Sequence, residues 1–229
     1  MDEPEAHGAG IAWLTAAFGL LLIIAGLAGA DGFLARTDYT ADEVDRVWGG
    51  ALSLLDVASG KAVTTFLLGG TLILAALIRN GFRRRPLWAG RLFYVGSTQL
   101  LCTAIADFAK PPFGRLRPFQ ALADGTGSDR WFMGPEYGSF PSGHAAFYAA
   151  LFLPLAMLFP RWAAALLAIP LLVGAERILS QDHYASDVGA SLLLAAIVAG
   201  GLLKLLAPGG RHPDARPGSA ASQFNGETR

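Results

Sequence analysis

Residues 177–206 read RILSQDHYASDVGASLLLAAIVAGGLLKLL, and the way this stretch divides decides the fold. Its first part carries Arg177, His183 and Asp187, and beyond Asp187 the only charge is Lys204. Residues 185–206, as a helix rising about 1.5 Å per residue, extend roughly 33 Å, enough to cross about 30 Å of hydrocarbon. A helix that is apolar on all sides belongs in a bilayer or deep in a large core. Arginine, histidine and aspartate at its mouth are costly to keep beside lipid, which makes them candidates for function and not for stability.

Five further apolar segments precede it, at residues 11–30, 62–78, 87–108, 144–159 and 162–179. Most are long enough to span a bilayer. Residues 144–159 are marginal, because Pro141 precedes them, Pro160 follows them, and Pro154 inside them is expected to produce a kink. Six such segments in 229 residues that are 53% hydrophobic and 16% charged leave too little polar sequence to cover them in water. The expectation is an all-α integral membrane protein with six transmembrane helices over residues 1–206, then a disordered cytoplasmic tail at 207–229, rich in Gly, Pro, Ser and charge. Zero net charge and the lack of a polybasic face argue against a nucleic-acid partner. The single cysteine, Cys102, excludes an intrachain disulfide and a multi-cysteine zinc site, and reads as packing.

Orientation follows from the short connections. Arg79, Arg83, Arg84 and Arg85 after the second segment, with Lys204, Arg211 and Arg216 at the end of the last, assign both regions to the cytoplasmic side. An even number of crossings then puts the N-terminus there too, with Trp13, Trp88 and Trp162 at the inner interface. Ala28-Gly29-Ala30 has the look of a cleavage site, but Asp2, Glu3 and Glu5 precede the segment without Lys or Arg, so it is expected to be retained. The first outer connection is acidic, carrying Asp31, Asp38, Asp42, Glu43, Asp45 and Asp56. Within it Thr40-Ala41-Asp42-Glu43 has the form of a capping box, and Val44, Val47, Trp48, Ala51, Leu52 and Leu55 recur at helical spacing. That predicts an amphipathic helix, weakened by Gly49-Gly50, lying on the outer leaflet or packed on neighbouring loops.

Three polar clusters fall on the outer side. Lys110 and Arg117 flank Pro111, Pro112 and Gly114, which predicts a rigid loop presenting two cations to an anion. With Arg177 they can neutralise the equatorial oxygens of a phosphoryl group, arginine as a planar fork and lysine as a point charge. Pro141-Ser142-Gly143-His144 opens an apolar helix, where unpaired N–H groups and a positive dipole suit Ser142 and Gly143 to a phosphate oxygen. His144 stands at the same helix mouth. His183 and Asp187 are four apart, so in helical geometry Asp187 accepts from one ring nitrogen of His183, leaving the other to attack phosphorus. Arg115, Arg130, Trp131 and Tyr137 lie in the loop that would choose among lipid headgroups.

This pattern resembles the type 2 phosphatidic acid phosphatase family, related in its site to vanadium haloperoxidases. Its three motifs match Lys110, Arg117 and Pro118; Pro141 to His144; and Arg177, His183 and Asp187, and the six-segment layout matches its membrane branch over nearly the whole chain. The resemblance implies a cofactor-free, metal-independent phosphatase acting on a lipid phosphate or diphosphate in the bacterial inner membrane, its site on the periplasmic face. It further implies that His183 becomes phosphorylated, that His144 protonates the departing group, and that Lys110, Arg117, Arg177, Ser142 and Gly143 bind the phosphoryl group. One position departs: the family usually carries serine before the third-motif arginine, and here Glu176 stands there. The same residues would also serve a phosphotransferase with a second lipid as acceptor, or a non-catalytic transporter or scaffold that binds anionic headgroups.

Overall fold

A computed structural model of the chain describes residues 3–36, 49–58, 67–80, 87–125 and 130–206. The expected capping box at Thr40 to Glu43 and the expected tail at 207–229 lie outside the described residues. All regular structure among the described residues is helical. In chain order the helices are α1 (Glu3–Ala25), α2 (Asp31–Ala35), α3 (Gly50–Ala58), α4 (Leu67–Asn80), α5 (Leu87–Phe113), α6 (Pro118–Ala123), α7 (Gly143–Leu158), α8 (Ala163–Leu179) and α9 (Ala185–Leu206).

Among the described residues, four stretches are long and apolar enough to cross a membrane: His7–Ala35, Trp88–Ala123, Pro160–Leu179 and Ala185–Leu206. The other two predicted segments are also helices, but α4 has 14 residues and α7 has 16, about 21 and 24 Å at 1.5 Å per residue. Pro154 sits inside α7 and Pro170 inside α8 without ending either helix. Side chains such as Leu14, Leu21, Ile24, Phe108, Leu172 and Ile197 point outward from the bundle, a surface suited to hydrocarbon and not to water.

Helices α1, α5 and α8 run one way, and α7 and α9 run the other. The last packs against the first at a pair of facing glycines. A Cβ on Gly19 would lie 2.7 Å from the Gly189 carbonyl oxygen, and one on Gly189 would lie 2.6 Å from that of Gly19. Any side chain there would force α1 and α9 apart, so close backbone contact, the packing device available where lipid removes the hydrophobic drive, closes the bundle. The centre is filled by residues of α5, α7 and α9, mostly small and aliphatic, such as Cys102, Ala149, Leu153, Leu192 and Ala195, with Tyr94 as the large ring among them. Cys102 is buried there, as the sequence reading expected.

Helix α3 is the predicted amphipathic helix in its described part. Leu52 and Leu55 pack on Phe147 and Tyr148 of α7 and on Val173 of α8, so the inner face of α3 rests on the bundle, while Leu54 and Val57 point away from it. The alternation of helices brings the ends of α1, α5 and α8 and the beginnings of α7 and α9 to one end of the molecule. Trp13, beside Lys204, lies toward the opposite end.

Candidate active site

Lys110 is not in a loop. Helix α5 continues through Pro111 and Pro112 to Phe113, so Lys110 occupies its last turn, and only then does Gly114 (φ 44°) turn the chain. Pro111 and Pro112 lack the N–H groups that would pair with the carbonyls of Asp107 and Phe108, and the helix ends one residue beyond them. From this turn Lys110 Nζ reaches over the start of α7, 2.9 Å from where a Cβ on Gly143 would sit. It also donates to Asp107 Oδ1 at 2.7 Å, one turn back on α5.

The other two cations meet at a residue that sequence reasoning did not single out. Asp182 accepts from Arg117 Nη1 at 3.2 Å through Oδ1 and from Arg177 Nη1 at 2.8 Å through Oδ2. It belongs to a tight turn after α8 in which Gln181 adopts a positive φ of 58°. That turn is tied on both sides: the Phe119 N–H donates to the Gln181 carbonyl at 3.2 Å, and the His183 N–H to the Arg177 carbonyl at 3.1 Å. Glu176, nearly fully buried, grips the Nε and Nη2 edge of Arg177 in a bidentate pair. Arg177 therefore has its side edge on Glu176 and one amino group on Asp182, which fixes the plane of the guanidinium.

His183 is buried, and Asp187 does not orient it in the expected way. Its Nδ1 lies 2.7 Å from the Ser139 carbonyl oxygen and 3.7 Å from Asp187 Oδ2, too long for a hydrogen bond though within reach of ion pairing. The four-residue spacing fails because α9 begins at Ala185, so His183 precedes the helix. Asp187 instead organises the surroundings. Its Oδ2 accepts from the Ser139 hydroxyl at 2.6 Å and the Tyr184 N–H at 2.9 Å, and its Oδ1 from Arg115 Nη1 at 2.5 Å. It holds the segment whose carbonyl holds the imidazole.

Arg115 is not a headgroup selector. It is fully buried, donates through Nη2 to Asp31 at 2.9 Å and through Nη1 to Ser186 at 2.7 Å as well as to Asp187, and lies between the rings of Trp131 and Tyr184, 4.2 and 4.0 Å from their centroids. Trp131 in turn packs edge-on against Phe113 and Phe140, so it too serves the interior of the site. Asp31, read from sequence as one of many outer-loop acids, anchors the end of the first membrane helix to this network. Ser142 is also structural: its side chain is buried and caps α7 by accepting from the Ala145 N–H at 3.4 Å, and its own N–H donates to the Asp187 carbonyl at 3.3 Å. Of the expected pair at this helix mouth, only Gly143 lies directly under a cation.

His144 faces a carboxylate from α3. Its Nε2 is 3.3 Å from Asp56 Oδ2, and the Tyr148 hydroxyl, one turn along α7, donates to Asp56 Oδ1. Asp56 comes from α3 and also acts electrostatically on Arg177, which places the two histidine-bearing clusters around the same charges. Asp56, Asp107, Asp182 and Ser139 were all missed in the sequence. Only Asp107 carried a local signal, its position three residues before Lys110 on one helix face.

A family model decides the relationship. The model of the PAP2 superfamily matches residues 89–208, from the start of α5 to just beyond α9. The chain belongs to the PAP2 superfamily. That match contains all three polar clusters and leaves Asp31 and Asp56 outside it. Two lipid A 1-phosphatases, from Rhizobium etli and Rhizobium johnstonii, are each 38% identical to this PAP2 chain over 133 residues, 54% of it and 56% and 54% of their own lengths. The chain thus spans about half the length of the curated relatives it matches. No solved structure matches it.

Proposed function

We propose that this PAP2 protein is a membrane phosphatase that hydrolyses the anchored phosphate of a lipid through a phosphohistidine on His183. The observation that carries the reading is the junction of the three clusters: Asp182 joins Arg117 to Arg177, and Lys110 lies over Gly143, beside a histidine whose ring is fixed by the Ser139 carbonyl. With Nδ1–H donated to that carbonyl, Nε2 is the nitrogen with a lone pair, the form required to attack phosphorus. Lys110, Arg117 and Arg177 stabilise the charge on the phosphoryl oxygens, a role in which preorganised donors contribute most because they need not reorganise. His144 gives a proton to the leaving oxygen. Asp187 acts through Ser139 and through its charge 3.7 Å from the imidazole.

In this reading all six long segments cross the bilayer, with α4 and α7 matched to it by local thinning. The arginines near residue 83 stay in the cytoplasm and the site opens on the outer face of the bacterial inner membrane. A phosphate presented from the outer leaflet enters beside α3. The relatives' names make the 1-phosphate of a lipid A-type glycolipid the first substrate to try.

The test is release of inorganic phosphate by the purified protein in detergent from a panel containing lipid A, phosphatidic acid, phosphatidylglycerol phosphate and a polyprenyl diphosphate. Turnover of at least one, with no phosphorylated lipid acceptor among the products, is expected. Binding without turnover across the panel would sink the reading, and transfer to a second lipid would replace hydrolysis with phosphotransfer. Because three side-chain cations supply the charge that magnesium or zinc supplies to other phosphatases, activity is expected to persist in EDTA. Loss on chelation that magnesium restores would count against the mechanism.

A further inference from the structure

Helix α3 lies outside the residues matched by the family model, yet it supplies a carboxylate to one of the site's two histidines. We infer that Asp56 is a positioning residue for the proton transfer made by His144, and that α3 is in this way part of the catalytic apparatus. The inference rests on the reading that His144 is the acid and base of a phosphohistidine mechanism.

Three observations converge. Asp56 Oδ2 stands 3.3 Å from His144 Nε2, close enough to accept its N–H and restrict rotation of the ring. The second carboxylate oxygen is held by the Tyr148 hydroxyl, so the carboxylate is oriented and not merely nearby. The helix carrying it is seated by Leu52 and Leu55 against Phe147, Tyr148 and Val173, which places Asp56 over the first turns of α7. A carboxylate placed on α3 for solubility would face away from the bundle, as Leu54 and Val57 do. Asp56 instead has a side chain only 19% exposed, facing one of 29%.

The proton bookkeeping assigns Asp56 a role in both half-reactions. As the P–N bond to His183 forms and the P–O bond to the lipid breaks, the His144 imidazolium gives its Nδ1 proton to the leaving oxygen and becomes neutral, its Nε2–H staying on Asp56. When water attacks phosphorus, His144 takes a proton from it, the P–N bond breaks, and the electron pair returns to His183. Asp56 keeps its hydrogen bond to Nε2 in both steps. It stabilises the charged ring at the start and end of the cycle and holds it in line with the oxygen it serves, as the carboxylate does in other orienter–histidine pairs.

The test exploits leaving-group chemistry. A nitrophenolate departs without a proton, whereas an alkoxide does not, so damage to proton delivery is selective and damage to the fold is not. Asp56→Asn is expected to lower kcat/KM for dodecyl phosphate about ten- to a hundredfold, part of the ~10² to 10⁴ carried by general acid catalysis, with less than a roughly threefold change for 4-nitrophenyl phosphate. Asp56→Glu should recover part of the loss. Tyr148→Phe should show the same selectivity more weakly, and it serves as the decisive variant if Asp56→Asn does not fold. Equal losses on both substrates in folded variants, or no loss on either, would overturn the inference. His144→Ala separates the two levels: if it lacks the selectivity, the acid assignment itself fails, and if it alone shows it, only the role of Asp56 fails.

Discussion

Arg115→Met is expected to destabilise the protein by about 3–5 kcal/mol, the cost of removing one partner from a buried ion pair. The guanidinium is inaccessible to solvent and bridges two carboxylates, Asp31 and Asp187, that are themselves buried. Without it, two negative charges remain in a cavity walled by Trp131 and Tyr184, and the rings lose the cation between them. Lysine cannot replace it, because one ammonium on a flexible stem does not span two acceptors in the fixed geometry of the fork. Denaturant unfolding in detergent checks the magnitude, and Arg115→Met combined with Asp31→Asn should regain part of the loss by removing one stranded charge. A change below about 1 kcal/mol would mean that water or relaxation solvates the carboxylates and that the triad is not a structural anchor.

His183→Asn should reduce kcat by on the order of 10⁴ to 10⁶, the scale seen when a nucleophile is deleted from a concerted site. Asparagine is the informative replacement because its amide can still donate to the Ser139 carbonyl, whereas alanine leaves that buried acceptor unpaired at a cost of about 1–3 kcal/mol. The fold should therefore survive while the attacking lone pair is lost. Rapid quench with labelled substrate should trap phosphate on the unaltered protein and none on the variant. Turnover within tenfold of wild type would remove His183 as nucleophile and with it the phosphohistidine.

The helices and the three clusters were legible because both are written in local pattern. An apolar run longer than 20 residues needs no partner to declare itself, and Lys110, His144 and His183 stood out against the apolar background of their neighbours. Length was the weaker part: α4 and α7 are helices where expected but, with 14 and 16 residues described, are shorter than the roughly 20 that cross the hydrocarbon. What holds the clusters together could not be read. Whether Asp56 is a solvated acid or a partner of His144 depends on packing of Leu52 against Phe147, a contact between residues 95 apart in sequence. The acceptor for His183 is a backbone carbonyl, which every residue possesses and none advertises. The expected pairing of His183 with Asp187 assumed a helix that begins two residues too late. The prolines place Lys110 in a loop when read from sequence, whereas the helix stops only at Phe113, one residue after them, and so keeps Lys110 in its last turn. Arg115 looked like its neighbours in an arginine-rich stretch, and only burial between two aromatic rings distinguishes it.

Asp182 touches both Arg117 and Arg177, and a shared counterion makes the two arginines energetically inseparable. Deleting either one releases the carboxylate to neutralise the survivor, so the first substitution should do most of the damage and the second little more. Removing Asp182 together with one arginine should cost less than their separate losses suggest. Drift in this protein would then favour correlated replacement at 117, 177 and 182, an epistasis set by one side chain in a turn of a few residues.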